Sequence, residues 1–452
     1  MVKEYFEHDD ISSLMPGQKD KKSVKIDGKS VIFQKRLVLG NLKEIYSKFV
    51  KDNPNVAIGL SKFCSLRPPH CILAGSGGTH NVCTCPIHEN IKLMTLGSNL
   101  VLLMKKEEYP VVNYEDVIML SLCPNPKEEC FFNMCKECSI SKTLEGLISA
   151  IFQKYEINEV TYKNWNSQPR TTLKTICIST ETFIQNYCLA SETFLMHSFI
   201  AKEQANYYKT LKNNLEIDQC LVTCDFAENY AFIVQNAVTG FHWNNDQATI
   251  FPIVFYYNDG GKINHQTLIF ISDCKKHDSV AVYVFLKSFN EWLSRFNANI
   301  RKCIYFSDGA PQQFKNVKHF TTIYNHENDF GRSAEWHFHA TAHGKGPCDG
   351  AGGALKRKAR KASLQMTSEH QITTAYQLYE WALQDGTFPS IEIAFCSETD
   401  YETAAAFLKV RFESCKTIPG TQKLHFVKAE TDHKLKVKTY SSSEKFQIVH
   451  FI

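Results

Sequence analysis

The chain has no apolar run of the roughly 18 residues that a membrane-spanning helix needs. Its opening, MVKEYFEHDDISSLMPG, has no apolar stretch of the kind a secretory signal carries. Both absences point to an intracellular protein without a membrane partner. No internal repeat and no low-complexity tract is present, which sets aside solenoids and disordered chains. Charge of one sign is also lacking. With 51 Lys and Arg against 47 Asp and Glu, the formal net charge is only +4. A polyanionic partner can therefore be argued only from local clustering.

What is present suits a globular chain of about two to four domains, since 452 residues exceed one ordinary core. Residues 1–60 read as an N-terminal arm and helices, with 1–35 polar and mixed in charge and MPGQKDKK as a loop-like arm. Leu39, Leu42, Ile45, Tyr46 and Phe49 recur at helical spacing, and GLSKFCSLRPP reads as a second short helix stopped by Pro68 and Pro69. Such a pair is either a DNA-reading arrangement or simply two packed helices. Residues 61–140 form a Cys/His-rich zinc-binding region and 141–215 a helical connecting region. Over 216–400, runs such as CLVTCDF, TIFPIVFYY, TLIFIS and KCIYFSD alternate with helical stretches, the mark of an α/β domain. Residues 401–452 read as a β-rich C-terminal segment.

Three aspartates stand where a sheet would deliver them to one edge. Asp225 ends QCLVTCD and Asp308 ends CIYFSD, each closing a buried-type strand. Asp349 follows the WHFHA strand, at the Gly-rich start of a helix from about Ala351. Converging carboxylates are hard oxygen ligands that suit two Mg²⁺ or Mn²⁺ ions about 3.5–4 Å apart. From Lys345 to Lys361 there are six basic residues against Asp349 alone. Lys345, Lys356, Arg357 and Arg360, with Lys315 beyond Asp308, are the candidate contacts to nucleic-acid phosphates. Each acid also has a plainer reading as a turn residue or helix cap, and the basic run as a solvated face.

CDFAENYAF, FSDGAPQQFKN and EWHFHATAHGKGPCDGAGGALKR resemble the three acidic blocks of eukaryotic DDE/D cut-and-paste transposases and the host proteins derived from them. The resemblance implies an RNase H-like catalytic domain over 216–400, preceded by the helical and zinc-binding region. It implies Asp225, Asp308 and Asp349 as the catalytic acids, DNA strand cleavage and joining, a nuclear location, and homo-oligomers on DNA ends. Glu335 and Glu369 compete for the third position. Among neighbouring residues, Glu228, Asn229, Gln312, Gln313 and Asn316 are secondary candidates, with His337, His339 and His343 for proton transfer or metal binding.

Because an intracellular chain keeps its 17 cysteines reduced, clustered ones suggest metal before disulfide. HNVCTCPIHENIKL supplies Cys83, Cys85 and His88, and CPNPKEECFFNMCKEC supplies Cys123, Cys130, Cys135 and Cys138. Cys135-x-x-Cys138 has zinc-chelate spacing, with His88 and one of Cys83, Cys85 or Cys130 to complete a structural Zn²⁺ site. Buried free thiols are the alternative. Three functions remain in contention: a transposase, a non-catalytic transposon-derived DNA-binding or chromatin protein, and a 3′–5′ exonuclease. The exonuclease ranks last, because Asp225 and Glu228 lack the Asp-x-Glu spacing it needs.

Overall fold

The computed structural model describes residues 1–451 apart from 9–10, 16–19, 27, 39–41, 74–84, 168–169, 235–237, 239–244, 345, 368–370 and 385. The chain divides into two units, Met1–Cys85 and Pro86–Ile452.

In the first unit, the polar N-terminal stretch is folded on both sides of MPGQKDKK, of which 16–19 lie outside the described residues. It carries α1 (Val2–Glu7), β1 (Ser12–Leu14), a hairpin of β2 (Lys21–Ile26) and β3 (Lys29–Gln34), and β4 (Arg36–Val38). The polar composition concealed two apolar anchors, Phe6 and Ile11, which bury with Phe49 and Phe63. The two expected helices form as α2 (Leu42–Asp52) and α3 (Leu60–Ser65), and β5 (Cys71–Ile72) joins β4 in parallel. The Phe63 ring centroid lies 4.9 Å from that of Phe6 and 5.0 Å from that of Phe49. The apolar side of α3 is thus spent on a local core, as in two packed helices.

The second unit begins with α4 (Pro86–Gly97), α5 (Leu100–Lys106), α6 (Tyr114–Met119), α7 (Glu128–Phe131), α8 (Ile140–Lys154) and the long α9 (Thr180–Asn213). Residues 141–215 are not wholly helical. Between α8 and α9 stands an antiparallel hairpin, β6 (Glu159–Asn166) with β7 (Thr172–Ser179), rich in β-branched residues. Val160 and Tyr162 bury one face of it beside Phe152, Phe183 and Tyr187.

A ten-stranded mixed sheet follows. Its members are β8 (Gln219–Cys224), β9 (Ala227–Ala231), β10 (Gln247–Asp259), β11 (Lys262–Ser272), β12 (Lys302–Ser307), β13 (Ser333–Phe338), β14 (Ile391–Cys396), β15 (Phe426–Glu430), β16 (Lys434–Lys438) and β17 (Gln447–His450). The order is β14-β11-β10-β8-β12-β13-β15-β16-β17, with β9 also paired to β10. Strands β8, β12 and β13 run parallel, whereas β10 is antiparallel to both β8 and β11. The helices here are α10 (Ser279–Phe296), α11 (Val317–Tyr324), α12 (His326–Phe330), α13 (Pro347–Gln365), α14 (Ala375–Leu383) and α15 (Glu398–Glu413).

Alternate strand residues face opposite sides. Val222, Phe251, Phe255, Phe270 and Tyr305 pack in one cluster with Phe285 and Phe289 of α10. Ile250, Ile269 and Ile271 pack with Leu355 and Ala359 of α13 and Leu378 of α14. Leu221, Ile304 and Phe306 meet Tyr207, Tyr208 and Leu211 of α9. A sheet covered on both faces needs near-continuous apolar strands, which is why TIFPIVF does not alternate. The last fifty residues are not a separate β segment: α15 opens them, and β15–β17 extend the central sheet beside β13.

Candidate functional site

Asp225 is the residue immediately after β8, and Pro252 explains why the strand stops there. The Asp225 N–H donates to the Pro252 carbonyl at 3.4 Å, but proline has no N–H to return. The ladder breaks at this rung, and β10 takes β9 as its next partner. Asp308 is the residue immediately after β12, with one carboxylate oxygen accepting from the Ala310 N–H at 3.1 Å. Thr223 pairs with Phe306 across the parallel strands, so two residues further on the register sets Asp308 beside Asp225.

Asp349 arrives from the opposite direction, in the first turn of α13. The helix starts earlier than expected, at Pro347, a residue suited to the first helical position. Asp349 Oδ2 accepts from the Gly346 N–H at 2.8 Å, so the plainer reading of this acid as a helix cap is also realised. Two contacts seat the helix start. The Cys348 thiol donates to the Thr223 carbonyl at 3.2 Å, and a Cβ on Gly352 would lie 3.0 Å from Ala227 Cβ and 3.3 Å from Pro252 Cγ. Only glycine allows this approach. Burial first, then the negative charges of Asp308 and Asp349, push the Asp225 carboxyl up to about 7. Burial also raises Asp308, while the Ala310 N–H and Lys315 oppose the shift.

The competitors for third acid fare differently. Glu335 pairs in register with Ile304, four residues before Asp308. At 3.3 Å per residue it sits roughly 13 Å from the acidic edge, too far to share an ion. Its carboxylate binds the Lys302 ammonium at 2.9 Å, and His337 Nε2 stands 3.4 Å away. Burial works to raise Glu335, but its bonds with His337 and Lys302 outweigh this and hold it well below the usual carboxylate range. Glu369 lies outside the described residues.

The candidate DNA contacts divide. Lys315 is only 2 % exposed, with Nζ on the Gln422 carbonyl at 3.1 Å. Burial lowers its ammonium to about 8, and Asp308 opposes the fall. A lysine held this way is a counter-charge to the acidic edge and does not present itself to DNA phosphate. Arg357 and Arg360 are exposed on α13 together with Lys361, whereas Lys356 Nζ bonds the Glu228 carbonyl at 3.1 Å and Lys358 Nζ the Thr387 carbonyl at 2.6 Å. Lys345 lies outside the described residues. Of the secondary candidates, Asn316 caps α11 and Asn229 holds His277 at 2.8 Å.

The thiolate centre is assembled differently from its expected ligand set. Sγ atoms of Cys123, Cys130, Cys135 and Cys138 lie within 4.8 Å of one another. Cys123 and Cys135 are 3.9 Å apart, far beyond a disulfide and near the roughly 3.8 Å edge of a tetrahedral site with Zn–S of about 2.3 Å. Backbone N–H groups of Cys138 and Glu137 bring the Cys135 thiol down to about 7. Cys123, and not His88, is the fourth member of this group of possible metal ligands. The overlooked signal was the run Cys123-x6-Cys130-x4-Cys135-x2-Cys138, compact enough to close on itself. Cys83 lies outside the described residues.

His88 belongs to another group, with His197 of α9 and His343 of the loop before α13. Their ring centroids are 5.2 Å (His88–His197), 5.0 Å (His88–His343) and 5.1 Å (His197–His343) apart. Burial, then the neighbouring His343, pushes both His88 and His197 down to about 4. No sequence spacing announces His197, which stands alone on a long helix. His337 of β13 and His339, one residue past its end, both pack on Phe306, on one side as alternation required. The Ser441 hydroxyl is 2.8 Å from His337 Nδ1, a satisfied core histidine.

Residues 204–441, more than half of the chain, match a domain of unknown function, DUF8701. The chain belongs to the DUF8701 family. The DUF8701 match takes in all three aspartates, His343 and nearly the whole sheet. Ahead of the DUF8701 region, residues 1–75 match DUF8699 and residues 86–195 match DUF8700, two further domains of unknown function. The interval between these two contains the boundary between the structural units. No curated protein and no solved structure matches the chain.

Proposed function

We propose that this DUF8701 chain is a metal-dependent enzyme of the DDE/D transposase kind, cleaving and joining DNA strands at Asp225, Asp308 and Asp349. The observation that carries the reading is the position of Asp225 and Asp308 on one rung of parallel strands, with the charge of Asp349 felt at the same point. A carboxyl raised to about 7 by burial and two like charges marks a site short of positive charge. Three oxygen donors in that state fit Mg²⁺ or Mn²⁺. Such ions, when bound, supply activation of the attacking oxygen and stabilisation of the leaving one. The strand succession β11-β10-β8-β12-β13, antiparallel then parallel, supports an RNase H-like reading of this domain. The exposed Arg357, Arg360 and Lys361 give α13 a face for the DNA backbone. A nuclear location and assembly on DNA ends follow from the same reading.

Two observations favour a second reading, a non-catalytic DNA-binding protein descended from such an element. Asp349 caps its own helix, and Lys315 already sets a positive charge near Asp308. Purified chain incubated with supercoiled plasmid and Mg²⁺ or Mn²⁺ separates the two. Nicking or linearisation that is lost in Asp225→Asn and in Asp308→Asn supports the enzyme. Salt-dependent DNA binding without cleavage in either ion supports the second reading. Absence of both binding and cleavage overturns both.

A further inference from the structure

Within the second unit, His88 at the start of α4, His197 in α9 and His343 between β13 and α13 come together from three distant parts of the sequence. One nitrogen from each lies within 4.8 Å of the others. His88 Nδ1 is fully buried and has no hydrogen-bond partner among the described residues, an arrangement that is costly if it stays unmet. A core histidine is normally satisfied, as His337 is by Ser441. Small ring rotations would close the group to the roughly 3.4 Å edge of a tetrahedral site with Zn–N of about 2.0–2.1 Å. Cys85, directly ahead of Pro86, stands in Cys-x-x-His spacing with His88, so the sequence brings a thiol next to the first imidazole. We propose that His88, His197 and His343, with Cys85 as fourth ligand, hold a second structural transition-metal ion, zinc by its donor set, separate from the four-cysteine centre.

The position of His343 gives this ion a task. The loop containing it leaves β12 and β13 where the His339 N–H donates to the Ser307 carbonyl at 2.9 Å. A Cβ on Gly344, the next residue, would lie 3.2 Å from Asp308 Cβ. Asp349 follows a few residues later. An ion bound through His343 therefore fastens the loop that passes against Asp308 and leads into the helix of Asp349 onto α4 and α9. That task rests on the reading of Asp349 as the third acid; the ion itself does not.

Zinc content of the purified full-length chain tests the site. Wild type should hold two zinc ions, and His343→Ala and Cys135→Ser one each. His343 is exposed, so its alanine variant should keep the wild-type circular dichroism. A wild type with one ion, unchanged by His343→Ala, overturns the proposal. Cobalt loading of Cys135→Ser gives a second readout. Visible ligand-field bands of tetrahedral cobalt should persist there and vanish once His343→Ala is added; their absence from a Cys135→Ser protein that keeps the wild-type circular dichroism overturns the site. One zinc with Asp225-dependent cleavage intact would sink the second ion alone. Two zincs with no cleavage would sink the proposed activity alone.

Discussion

Asp225 and Asp308 stand on the same rung of two neighbouring parallel strands, each one residue past the end of its own. Neighbouring strands are roughly 4.8 Å apart, so neither carboxylate ionises outside the field of the other. Asp225, the more strongly shifted, is raised to about 7.

That shift has a consequence for stability. An aspartate whose folded pKa lies above its unfolded value of about 3.9 binds extra protons in the native state. Its contribution is complete below about pH 4 and is lost as pH rises through about 7. Without added divalent ion, Asp225→Asn should match wild type near pH 4 and exceed it by on the order of 1–3 kcal/mol at pH 8. Mg²⁺ should restore wild type at pH 8 and leave the variant unchanged. Thermal denaturation across this pH range is the measurement; parallel curves for the two proteins would count against the mutual repulsion.

The thiolate centre gives a second expectation. Cys123, Cys130, Cys135 and Cys138 join the loop after α6, α7 and the turn before α8, which pack on one shared core. Cys135→Ser should lose one zinc and destabilise this helical layer by several kcal/mol, because metal affinity there is folding energy. Zinc analysis with amide hydrogen exchange over residues 114–154 checks it. Unchanged protection with unchanged metal would show four ordinary thiols.

Gly352→Ala provides a packing test at the acidic edge. The new methyl would press on Ala227 Cβ at 3.0 Å and Pro252 Cγ at 3.3 Å, neither of which has an adjustable side-chain end. The expected loss is about 1–3 kcal/mol, and the displaced start of α13 should weaken cleavage more than DNA binding. Gly350→Ala is the control, since a Cβ at Gly350 meets nothing within 4 Å.

Charge removal should separate the lysines. Arg357→Ala with Arg360→Ala should weaken binding to any DNA sequence and flatten the salt dependence by about one slope unit per lost phosphate contact. Lys315→Met should leave that slope unchanged, because its ammonium is buried against Gln422. Filter binding at several salt concentrations distinguishes the two; a reduced slope for Lys315→Met would return that residue to the DNA surface.

Local pattern made the strand ends at Asp225 and Asp308 legible, because an apolar run closing on a carboxylate is visible in its own residues, although the break at Asp225 itself depends on Pro252 of β10. The stripe of Val282, Phe285 and Phe289 placed α10 for the same reason, and Cys135-x-x-Cys138 identified the thiolate turn. Tertiary structure decided which distant groups meet. The local spacing of His88 pointed to the cysteines, but chain packing took it to His197 and His343, residues that no short-range pattern connects. Lys315 read as a free basic residue until Gln422, over a hundred positions away, covered it. The C-terminal strands were legible as strands, yet their place beside β13 depended on the open edge that β13 offered. Periodicity and turn chemistry are short-ranged, whereas burial, metal geometry and sheet order are properties of neighbours supplied from elsewhere in the chain.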